Sequence, residues 1–73
     1  MTLKFIESKA GVCGGKPCFK KTRIPVHAIL EMMGAGNSIV EIIKEYPQLK
    51  REHILEAISF AAELVNYEEI SLP

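Results

Sequence analysis

From Val26 onward the apolar residues recur at helical spacing; before it they do not. Val26, Ile29, Leu30 and Met33 stand at i, i+3, i+4 and i+7, one face of a short helix. Pro25 suits the first turn of that helix, where a missing N–H costs nothing, and Gly34 or Gly36 can supply the left-handed residue that ends it. Ser38 and Glu41 have capping-box spacing, each side chain able to take the other's free backbone N–H. They open a second helix with Ile39, Ile42, Ile43 and Tyr46 on its apolar face and Pro47 as its stop. The third and longest periodic segment runs from about Lys50 to Val65, with Ile54, Ala57, Ile58, Ala61 and Val65 expected inward.

Upstream the pattern is that of extended chain. LKFIES (Leu3–Ser8) reads as a short strand, AGVCGG as a turn, and Lys16–Val26 as extended again. Pro17 and Pro25 bias the residues before them away from helix, and β-branched Thr22, Ile24 and Val26 favour strand geometry, so a hairpin bending near Lys20–Thr22 is predicted. An isolated hairpin is marginal in water and must lie on the helices or on another chain. The predicted fold is mainly α and one domain: a β-hairpin arm (1–25), a three-helix bundle (26–65) and a tail, NYEEISLP (66–73), with an apolar tip at Ile70 and Leu72. The tight Tyr46–Leu49 connection predicts a helix-turn-helix arrangement of the last two helices.

Composition narrows this picture. Seventy-three residues give a core marginal for a monomer, so a homodimer is expected. The 48% hydrophobic content argues against disorder. No apolar run approaches the roughly 20 residues of a membrane span. MTLKFIESKA has no long apolar stretch of the secretory kind, which makes a cytoplasmic protein the expectation. Cys13 and Cys18 are too few for a disulfide framework, and with His27 and His53 they match no tight zinc spacing. Two buried or half-buried free thiols are expected, with no metal and no cofactor.

The zero net charge hides an asymmetry. Residues 1–30 hold Lys4, Lys9, Lys16, Lys20, Lys21 and Arg23 against Glu7, a net +5, and residues 31–73 carry a net −5. Such a split suits a basic arm aimed at an acidic partner, or complementarity between copies; scattered solvated charge is the plainer alternative.

GGKPCFKKTRIPV (Gly14–Val26) resembles a phosphate-binding loop, yet Ala10 stands where the first glycine is needed and Pro17 where a hydroxyl should meet magnesium. The nucleotide reading fails. The chain has no aspartate, no spacing joins either thiol to an imidazole, and Glu52 with Glu56 reads as a solvated pair, so no enzyme is expected. For nucleic acid, Lys50 and Arg51 stand at the reading end of the third helix, but Glu52, Glu56 and Glu63 oppose a negative ligand. DNA binding would need the basic hairpin of Lys16, Lys20, Lys21 and Arg23 as well. His53 reads as a surface or half-buried side chain rather than a ligand.

CGGKPCFKKTRIPV followed by GAGNSIVEIIKEYPQLKREHILEAISFAA is similar to the bacterial family called domain of unknown function 433, over about Phe5 to Ala62. The paired runs GGKP…TRIPV and EYPQL carry the resemblance. It implies a homeodomain-like three-helix fold behind a β segment, and a VapB-type antitoxin role beside a small PIN-like nuclease. Lys21 stands where the family tends to have glycine, so the bend must either differ or hold a strained residue. Lys50 stands in place of threonine, the better N-cap by about 1 kcal/mol, and Phe60 takes a place often held by tyrosine.

The leading expectation is therefore an antitoxin that neutralises a PIN-like nuclease and, as a dimer, represses its own operon. The partner-binding candidates are Lys16, Lys20, Lys21, Arg23, Lys50 and Arg51, with Tyr67, Ile70 and Leu72 as a tail contact. Arg23 has two readings, a partner contact or an anchor holding the hairpin to a helix. The alternatives in function are a stand-alone DNA-binding protein on operator DNA and a homodimerisation module without a ligand.

Overall fold

The structure is a computed structural model that describes residues 3–67. It is mainly α, as predicted: two short strands, β1 (Ile6–Glu7) and β2 (Cys18–Phe19), precede three helices, α1 (Val26–Gly34), α2 (Ile39–Glu45) and α3 (Arg51–Tyr67). The strands pair antiparallel, with Ile6 opposite Phe19 and Glu7 opposite Cys18. The bend at Lys20–Thr22 is present and lies inside a second, smaller pairing. Phe19 N–H donates to the Ile24 carbonyl at 3.1 Å and Val26 N–H to that of Pro17 at 3.0 Å, and Cys18 bridges to Pro25. The arm is thus a three-segment meander, because Pro17 to Val26 folds back on itself as well as on β1.

Its place in the fold follows from the core. Ile6, Phe19 and Ile24 of the arm are buried with Val26, Ile29, Ile42, Leu49, Ile54 and Ala57 of the helical part, forming one cluster. Phe19 is the largest fully buried side chain. The hairpin therefore lies on its own helices, and burial of its apolar side is what makes so short a sheet stable.

The helix ends follow local chemistry. Pro25 is the N-cap of α1, one position before its first turn. At the other end Gly36, with φ of 98°, is the left-handed residue; Asn37 N–H donates to Met32 O and Gly36 N–H to Met33 O, both at 3.0 Å, the paired bonds of a Schellman stop. The capping box of α2 is complete: Ser38 N–H donates to Glu41 Oε1 at 2.7 Å and Glu41 N–H to Ser38 Oγ at 3.2 Å.

Helix α3 departs from expectation in two ways. It continues through Tyr67, so Asn66 and Tyr67, expected in the tail, are helical. Its inward face is narrower than predicted. Ile54 and Ala57 are fully buried and Ala61 is half-buried, but Ile58 is 38% and Val65 61% exposed. At about 100° per residue, Ile58 points away from the face that Ala57 buries, and Phe60 packs on the core instead. Two apolar stripes run side by side along α3, and only one has a partner among the described residues.

Candidate functional site

The turn of the arm is built from Thr22. Its Oγ1 donates to the Phe19 carbonyl at 2.7 Å and accepts from Ile24 N–H at 3.1 Å, while its own N–H also reaches Phe19 O at 3.1 Å. This closed loop turns the side chains of Lys20, Lys21 and Arg23 outward. Lys20, Lys21 and Arg23 are exposed, as is Lys16 before β2. None of the four forms an ion pair or a side-chain hydrogen bond with a described residue. Ion pairs among the described residues join Lys9 to Glu7 at 3.7 Å and His27 to Glu31 at 3.2 Å.

Lys21 and Arg23 line a recess of about 270 Å³ with Lys9, Glu7, Val12 and Thr22. The recess thus gathers three cations and one carboxylate, of which Lys9 alone pairs with Glu7. Lys9 was not among the expected site residues. It lies ten or more positions away in sequence, and only the β1–β2 pairing carries the loop that bears it to the turn. Lys16 sits apart, on an apolar groove of about 340 Å³ whose walls include Pro17, Leu30, Phe60 and Leu64. Lys50 and Arg51 are exposed at the start of α3. Of the expected tail contacts, Tyr67 is the last residue of α3, and Ile70 and Leu72 lie outside the described residues.

Two residues assigned no role in the sequence hold the arm in place. The Glu56 carboxylate accepts from Lys4 N–H at 2.8 Å and Phe5 N–H at 2.6 Å, so it is a clamp on the arm rather than half of a solvated pair. His53 is half-buried, its ring 4.2 Å from that of Phe5 and 5.7 Å, edge-on, from that of Phe19. Its Nδ1 accepts from Lys50 N–H at 3.0 Å, and the backbone N–H of His53 donates to Lys50 O at the same distance. The missing threonine hydroxyl before α3 is thereby offset in part: an N3 side chain satisfies the N-cap N–H, as the glutamate of a capping box does.

Both thiols are free, Cys18 buried and Cys13 half-buried. Burial, and next the Cys13 thiol hydrogen-bonded to it, push the Cys18 thiol up from its ordinary value, which disfavours the thiolate. Among the described residues no three His, Cys, Asp or Glu side chains are grouped to hold a metal ion, and no helix is long and apolar enough to cross a membrane.

The three-helix unit behind a short β arm is matched in both sequence and fold. The family described as "Protein of unknown function (DUF433)" matches residues 6–61, and the chain belongs to it. The crystal structure of a DUF433 member from Anabaena variabilis ATCC 29413 is similar, with a TM-score of 0.76 and 31% identity over 80% of this chain and 57% of that one. The "Uncharacterized protein y4eO" of Sinorhizobium fredii (strain NBRC 101917 / NGR234) is 29% identical over 58 residues, 80% of this chain and 26% of that protein. The chain thus spans about a quarter of the one relative and little more than half of the other.

Proposed function

We propose that this chain is a non-catalytic binding protein of the antitoxin kind, acting in the cytoplasm, whose cationic turn seats on the carboxylate cluster of a PIN-like nuclease. One observation carries the reading: Lys16, Lys20, Lys21 and Arg23 are exposed and engage no carboxylate among the described residues. Among the described residues Arg23 also makes no side-chain contact with a carboxylate or carbonyl of the kind a structural anchor would use, which favours its reading as a partner contact. A guanidinium can fork onto a carboxylate with two bonds, and lysines beside it strengthen the local field. The self-complementary charge of the chain and its small core support a dimer as the repressing form.

The test is co-expression with the product of the adjacent gene. A complex stable through gel filtration is expected, lost when Lys20, Lys21 and Arg23 are changed together to glutamate and retained when Lys44, which is exposed on α2, is changed alone. No complex with any adjacent gene product, or equal binding by the triple variant, overturns the reading. Arg23→Ala should leave unfolding unchanged and weaken the complex.

DNA binding is the second reading, favoured by the exposure of Lys50 and Arg51 at the N-terminal end of α3. It requires affinity for upstream DNA that falls steeply with salt. Flat salt dependence counts against it.

A further inference from the structure

The unpartnered stripe of α3 is Leu55, Ile58, Ala62 and Val65, all exposed. Their spacing of three, four and three residues is that of alternating a and d positions in a helix pair. Such a seam is unusual on a surface helix, whose outer side ordinarily carries charge. Arg51 continues the same stripe one turn earlier.

The occupant is specified by the stripe itself. When two copies of α3 run antiparallel about a twofold axis near Phe60, each a position faces a d position of the other copy. Ile58 then meets the small Ala62 of the second copy, and Leu55 meets Val65, so large faces small at the centre and like meets like at the ends. A parallel pairing sets Ile58 against Ile58 and leaves a gap between two alanines. Charge agrees with the antiparallel choice. Lys50 and Arg51 stand at the start of α3, its last turn carries no basic residue, and Glu68 and Glu69 follow in the sequence. Antiparallel packing brings the cationic start of each helix towards the C-terminal end of the other, where the helix dipole favours a cation. The flanking Ser59 and Asn66 are uncharged and add no repulsion.

We infer that the Leu55–Ile58–Ala62–Val65 stripe of α3 is a dimer interface for a second copy of this chain, paired antiparallel through the same stripe. This deepens the dimer named above and is independent of the nuclease. It also draws Arg51, one turn before Leu55, to the edge of the interface, which competes with a role for that residue on DNA.

Sedimentation equilibrium of the isolated full chain tests it, so that a failure here leaves nuclease binding a separate question. The chain should be a dimer at micromolar concentration, and Ile58→Glu should raise the dissociation constant at least about 100-fold with helix content unchanged by circular dichroism. A monomeric wild type, or a folded Ile58→Glu that dimerises as before, overturns the proposal. Should Ile58→Glu lose helix content, Ala62→Ile carries the test. It overpacks the antiparallel centre and should weaken the dimer by about tenfold, whereas in a parallel pair it fills the gap. A dimer unchanged or strengthened by Ala62→Ile overturns the antiparallel interface.

Discussion

Lys21 sits at φ of 63°, in the left-handed region where a side chain crowds its own backbone. The penalty for a residue with a Cβ there is about 1 kcal/mol, and the resemblance puts glycine at this position. Lys21→Gly should therefore raise the stability of the fold by about 1 kcal/mol, read as a higher midpoint in urea with an unchanged slope. A lower midpoint would mean that the lysine stabilises the turn in some other way. The bend near Lys20–Thr22 was legible from Pro17, Pro25 and the β-branched residues. The sequence left open whether the bend would differ or hold a strained residue, and the φ of Lys21 decides for strain. Lys9 was not legible: its place in the recess beside the turn depends on which loop end β1 delivers, and no local pattern encodes that. The same holds for His53, whose stacking on Phe5 and Phe19 needs the arm to be folded over α3 first.

At the scale of the element, the ends of α2 were readable and the faces of α3 were not. Ser38 and Glu41 lie within one turn, so sequence alone specifies both bonds of the box. The backbone N–H of Ser38, and then its side chain, hold the Glu41 carboxyl below its ordinary range. A carboxyl depressed in the folded state stabilises above its unfolded value of about 4.3, and that contribution fades as pH falls through the lower folded value. Ser38→Ala should cost about 1 kcal/mol at neutral pH. Glu41→Ala should flatten the loss of stability between about pH 5 and pH 3, measured by thermal unfolding; an unchanged acid slope would show the box to be without effect. On α3, by contrast, Ile54–Ala57–Ala61 and Leu55–Ile58–Ala62–Val65 both satisfy a helical period. Periodicity cannot say which stripe faces the molecule's own core when both are apolar, and Ile58 and Val65 were misplaced for that reason.

In the molecule as a whole, α3 meets the arm chiefly through Glu56 and His53, with one buried cluster beneath them. Glu56 holds two N–H groups with an ionised acceptor, a contact stronger than a neutral one. Glu56→Ala should cost about 2 kcal/mol after allowing for its partial exposure. Amide exchange at positions 4 and 5 should rise more than in α2; equal protection in the variant would place the hold on the arm elsewhere. The clamp ties the arm that carries the cationic turn to α3, and under the proposed function this would lower the ordering cost of binding.

The clamp acts on the main chain, and this bears on how freely the sequence can drift. Glu56 reads an N–H that nineteen of the twenty amino acids provide, so the exposed residue at position 4 can change size, polarity or sign while the arm stays docked. Proline alone is forbidden there. Variation at that position is then free to retune the charge of the basic arm without disturbing the fold that carries it.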